Sequence, residues 1–102
     1  SDVGISPPKI KDVNMAQEMQ YAIDTLEIKG VDTTELKNLK TEYAAYNNEE
    51  ELALVEDDFE NALKYRNEKE KVLISFTEIL KDNGYYSMNI YQYLNQQDLL
   101  ED

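Results

Sequence analysis

EEELALVEDDFENALKYRNEKEKVLISFTEILKD, residues 49–82, is the stretch on which the fold turns. Leu52, Val55, Phe59, Ala62, Arg66, Lys69, Leu73, Phe76 and Leu80 keep an alternating three- and four-residue step, which belongs to one face of a helix and not to a strand with its period of two. The spacing predicts a single long helix, roughly 50 Å at about 1.5 Å per residue. Arg66 and Lys69 interrupt the apolar stripe, so its two ends are expected to pack against different neighbours. Asn83-Gly84 closes the helix, with Tyr85 placed to return onto Leu80 in a Schellman-type cap.

Upstream, Leu36, Leu39, Tyr43 and Tyr46 step by three, four and three and form a shorter amphipathic helix. Extending that seam calls for apolar residues at 50 and 53, whereas the next large ones are Leu52 and Val55, displaced in phase. The expectation is therefore a break at Asn47-Asn48, with Asn48 and Glu51 as a capping box, and one bent helix as the alternative. Asp32-Thr33-Thr34-Glu35 reads as another capping box, with Val31 and Leu36 as its hydrophobic staple. Further upstream, Val13, Ala16, Met19, Ala22, Ile23 and Leu26 mark a first helix, expected from Ser6-Pro7-Pro8 to about Lys29 and ended by Gly30. Downstream, Ser87 is placed to cap a short helix bearing Met88, Ile90, Tyr91 and Leu94.

The expected fold is all-α: an antiparallel three- or four-helix bundle with one long spine helix, about 49–82, and a short C-terminal helix. Its 102 residues suit one domain with a single core, with a flexible lead-in at 1–7 and a frayed tail at 96–102. Because the spine outruns its neighbours, one apolar end is expected to project and to invite a partner or a second copy of the chain.

Composition excludes more chemistry than it supplies. Without Cys there are no disulfides, thiolate metal sites or cysteine nucleophiles, and without His the commonest acid/base and transition-metal ligand is missing. Ser75 lies inside a helix, the three glycines form no phosphate loop, and Glu56 with Glu60 or Asp57 with Asn61 make only pairs of oxygen ligands one turn apart. The expectation is a protein that is not an enzyme and carries no cofactor and no metal. Apolar runs such as Val72-Leu73-Ile74 are too short to span a bilayer, so no membrane insertion is expected. The first residue is Ser1, not Met, which leaves room for an exported or lipid-anchored surface protein whose signal was removed.

The net charge of −12 opposes direct binding to nucleic acid and favours a basic partner. From Thr41 to Leu63 there are eight acids and no Lys or Arg. The mixed-sign segment Lys64 to Lys71 is expected to be a solvated helix stretch supported by pairs such as Arg66 with Glu70. Four of the eight tyrosines, Tyr85, Tyr86, Tyr91 and Tyr93, gather near the C-terminus, and Tyr is favoured at interfaces for its apolar body and polar tip.

The leading expectation is a non-enzymatic protein-binding module of adaptor, chaperone or inhibitor type. Its contact residues would be Tyr86, Met88, Ile90, Tyr91 and Tyr93, with Glu50, Glu56 and Glu60 as acidic contacts. An acidic mimic of nucleic acid is the alternative, and it requires the carboxylates from Glu49 to Glu60 to lie on one continuous face. A structural domain of a surface protein is the other alternative.

Overall fold

A computed structural model describes residues 14–96. The expectations for Ser6 to Pro8, the lead-in at 1–7 and the tail beyond Gln96 lie outside these residues. Four helices follow in order: α1 (Met15–Ile28), α2 (Thr34–Val55), α3 (Phe59–Asp82) and α4 (Met88–Gln96). Among the described residues there is no strand. The all-α bundle is thus what the sequence pattern called for, with four helices.

The spine is divided differently from the expectation. Residues 49–82 do not form one helix, because α2 runs unbroken through Asn47-Asn48 and stops at Val55. Positions 50 and 53 are the buried seam positions after all, filled by Glu50 and Ala53. The seam never slipped; it changed from large apolar residues to a carboxylate and a methyl group.

The break falls at Glu56-Asp57-Asp58. Asp57 takes a left-handed backbone, φ 56°, and the Asp58 N–H reaches back to the Ala53 carbonyl at 2.8 Å, ending α2 in a Schellman turn. Asp58 then caps α3, its carboxylate accepting from the Asn61 backbone N–H at 3.2 Å and side-chain N–H at 2.7 Å. The other two helix ends follow the glycine reading. Gly30 and Gly84 have φ of 84° and 73°, and the N–H groups of Val31 and Tyr85 bond the Leu26 and Leu80 carbonyls at 3.0 and 2.9 Å.

Helix starts depart in two places. α1 begins at Met15, not in an unbroken run from Pro8, because Asn14 has extended backbone and its Oδ1 accepts from the Gln17 N–H. At α2 the capping box does not form. Asp32 Oδ1 instead accepts from the N–H and hydroxyl of Thr34 at 3.0 and 2.7 Å, leaving Thr33 at the cap with its hydroxyl donated to Glu27. Asn48 caps nothing, since it lies inside α2.

The four-helix core joins Met15, Met19, Ile23 and Leu26 of α1 to Leu36 and Tyr43 of α2, Leu73, Phe76 and Leu80 of α3, and Ile90 and Leu94 of α4. Lys40 to Gln20 and Lys37 to Glu27 place α1 antiparallel to α2, and Lys69 to Asn47 and Arg66 to Glu50 do the same for α3 against α2. No residue from 47 to 71 belongs to this core. Beyond Tyr46 the bundle continues as a two-helix arm, with Ala53 and Ala62 buried in its seam.

Candidate functional site

Two surfaces and one buried polar layer hold the residues singled out in the sequence. The first surface lies where the loop after α3 crosses α1 and enters α4. Ser87 Oγ accepts from the Ile90 N–H at 3.4 Å, capping α4, and donates to Glu18 of α1 at 3.5 Å. Ile90 and Leu94 anchor α4 in the core, which turns Tyr86, Met88 and Tyr91 outward, 63%, 62% and 38% exposed. Tyr86 and Tyr91 meet edge to face with ring centroids 6.3 Å apart. A groove of about 430 Å³ runs beside them, lined by Gln17, Glu18, Tyr21, Tyr85, Tyr86 and Met88, among others.

Of the five residues expected here, Tyr86, Met88 and Tyr91 are brought together at the surface. Ile90 is fully buried and serves the core, a consequence of the helix phase that also buries Leu94. Tyr93 is half-buried and donates to Glu70 of α3 at 3.3 Å. Burial, with the Glu70 charge next, pushes its phenol above the ordinary range. Sequence reasoning missed Tyr21, which is exposed on the rim of the groove. The signal was present: Tyr21 stands off the α1 stripe of Met19, Ala22, Ile23 and Leu26, and a large aromatic off the stripe faces outward.

The buried layer sits at the base of the arm. Glu50, 3% exposed, accepts from Arg66 Nε at 2.8 Å and Lys69 Nζ at 2.7 Å. Lys69 also donates to Asn47 at 2.7 Å and lies 5.7 Å from the centre of the Tyr43 ring. Burial opposes ionisation of Glu50, but the hydrogen bonds from Lys69 and Arg66 outweigh it and hold the carboxyl below its usual range. Arg66 thus bonds Glu50 across the hairpin, where the sequence had suggested Glu70 along the helix. Glu50 is not available as a contact residue. A cavity of about 410 Å³ opens beside this layer, lined by Met15, Tyr43, Asn47, Lys69 and Tyr93 among others, and the Lys69 cation in its wall is already held by Glu50.

The second surface is the arm itself. Glu56 and Glu60 are exposed on either side of the turn, but Glu56 and Asp57 stand outside α3, so neither shares a helix face with Glu60 or Asn61. Around them Leu52, Leu54, Val55, Phe59 and Leu63 are 41–81% exposed. Among the described residues no group of three or more acidic side chains is close enough to hold a metal ion, and no helix is long and apolar enough to cross a membrane.

Comparison of the chain with protein-family models, with curated proteins and with solved structures finds no match.

Proposed function

We propose that the chain is a non-enzymatic helical module that binds a protein partner through the tyrosine-rich end built by α1 and the start of α4. The observation that carries this reading is the joint exposure of Tyr21, Tyr86 and Met88 around one groove, in which Tyr85 packs against the core. Large apolar groups left in water at one place mark interaction surfaces. Tyrosine provides such area at small entropic cost and keeps a hydroxyl for the polar contacts that a partner must satisfy, and the flexible Met88 adapts to irregular partner shapes. The acidic balance of the chain favours a partner of positive charge and steers its approach.

The acidic-mimic reading is weaker, because Glu50 turns inward to Arg66 and Lys69 and interrupts the face from Glu49 to Glu60 that a mimic needs. The test is affinity capture from the native lysate with the intact chain and with Tyr21→Ser, Tyr86→Ser and Met88→Ser combined. These side chains are exposed, so circular dichroism should be unchanged while a specific partner is lost. Capture that is indifferent to all three changes sinks the proposal.

A further inference from the structure

We propose that the tip of the α2–α3 arm is a second docking site, whose occupant is a basic amphipathic helix of a partner protein. This rests on the protein-binding reading above but not on the tyrosine-rich surface.

Beyond the Glu50 layer the buried side chains among the described residues are the methyl groups of Ala53 and Ala62, and the larger apolar side chains of the arm are exposed. Among the described residues, Leu52, Leu54, Val55, Phe59 and Leu63 make up five of the ten exposed large hydrophobic side chains, a group separate from Tyr86, Met88 and Tyr91 at the other surface. Leu52 and Val55, three apart, share one face of α2; Phe59 and Leu63, four apart, share one face of α3. Both pairs adjoin the turn at Glu56-Asp57-Asp58. Among the described residues none of the core side chains of α1 or α4 joins them, and all five stand outside the core.

Charge selects the occupant. Glu49, Glu51, Glu56, Asp57, Asp58 and Glu60 surround these apolar groups, and the sequence places no Lys or Arg between Thr41 and Leu63. Lys64, the first cation after the arm, lies 5.9 Å from the centre of the Tyr65 ring, and Arg66, the one arginine of the chain, is committed to Glu50. A second copy of the chain would bring the same acids against themselves, and an anionic lipid surface would be repelled. A segment with apolar residues at helical spacing, flanked by Lys and Arg, meets both features of the arm at once.

The test uses the full chain and a synthetic peptide of about 18 residues, five helical turns, with Leu on one face and Lys elsewhere. The same peptide with Glu for Lys, and a scrambled Leu/Lys peptide, serve as controls. Binding is read by fluorescence anisotropy, and the contact region by amide chemical shifts. The expected result is binding that favours the amphipathic basic peptide, with shifts centred on residues 52–63. Leu52→Ser, Val55→Ser and Phe59→Ser together should weaken it about tenfold or more. Glu51→Gln, Glu56→Gln and Glu60→Gln together should flatten its salt dependence.

Equal binding of the acidic or scrambled peptide, shifts centred on Tyr21 and Tyr86, or indifference to the arm changes overturns the proposal. So does self-association in sedimentation equilibrium that the apolar changes abolish, since the occupant is then a second copy. Loss of a lysate partner with the tyrosine changes alone, with no peptide bound at the arm, overturns this inference and leaves the protein-binding reading standing. Peptide binding at the arm without any tyrosine-dependent partner upholds the arm and removes the tyrosine-rich surface.

Discussion

Leu36, Tyr43 and Glu50 occupy equivalent positions seven residues apart on α2, and the third of them replaces an apolar side chain with a carboxylate. Burying that charge is costly unless partners return the lost hydration, and Lys69, only 13% exposed at its side chain, is the partner buried with it. The arrangement favours this register: sliding α3 by two turns leaves Glu50 opposite Leu73 and Phe76, or opposite Phe59 and Ala62. Glu50→Gln keeps the shape and removes the charge, and should destabilise the fold by about 2–3 kcal/mol, since the half-exposed Arg66 recovers much of its own hydration. The pH dependence has a definite sign. The folded carboxyl lies below its ordinary value of 4.5, so its contribution is complete above that value and is lost as pH falls through the folded pKa. The urea midpoint of the parent should therefore fall relative to that of Glu50→Gln between about pH 5 and pH 3, since protonation of the exposed acids relieves repulsion in both proteins alike. Parallel acid limbs for the two proteins would count against the buried pair.

The turn between α2 and α3 shows where sequence legibility ends among the elements. Gly30 and Gly84 announced their helix ends because a left-handed residue is cheapest as glycine. The same turn geometry at Asp57 carried no such announcement, and the alternating step from Leu52 through Phe59 to Ala62 ran straight across it. Leu52, Val55 and Phe59 kept helical spacing without being a seam, and of that run only Ala62 is buried in one. The real seam at 50 and 53 used a carboxylate and an alanine, which a search for large apolar groups passes over. α1, the two glycine caps, the Ser87 cap and the exposure of Tyr86 and Met88 were legible; the hairpin and its polar layer depend on pairing between helices and were not.

Two substitutions test this element. Asp57→Gly relieves the left-handed strain and removes an acid from the C-terminal end of α2, and should stabilise by about 0.5–1 kcal/mol, read as a higher Tm. Asn48→Pro should cost about 3 kcal/mol or more, because position 48 lies inside a continuous helix; tolerance of proline there would restore the break at Asn47-Asn48.

Across the whole molecule, 22 acidic and 10 basic residues give a net charge of −12, and the acids are densest on the arm, which takes no part in the core. Self-repulsion on that scale opposes the compact state, and it acts over distances that salt controls: the Debye length is about 30 Å at 0.01 M and about 3 Å at 1 M. The buried Glu50 layer, by contrast, is largely shielded from mobile ions. Adding sodium chloride from about 0.02 M to about 0.5 M should therefore raise Tm, because screening removes the repulsion while leaving the principal ion pair intact. Chloride is preferred to sulfate, whose exclusion from protein surfaces would raise Tm for a different reason. The combined Glu51→Gln, Glu56→Gln and Glu60→Gln protein should start with a higher Tm at low salt and gain less from the addition, since part of its repulsion is already gone. A Tm that falls with salt would mean that exposed ion pairs such as Lys37 with Glu27 hold the fold more than like charges strain it. An equal gain in the variant and the parent would move the source of repulsion away from the arm, and with it the electrostatic case for a basic segment docking there.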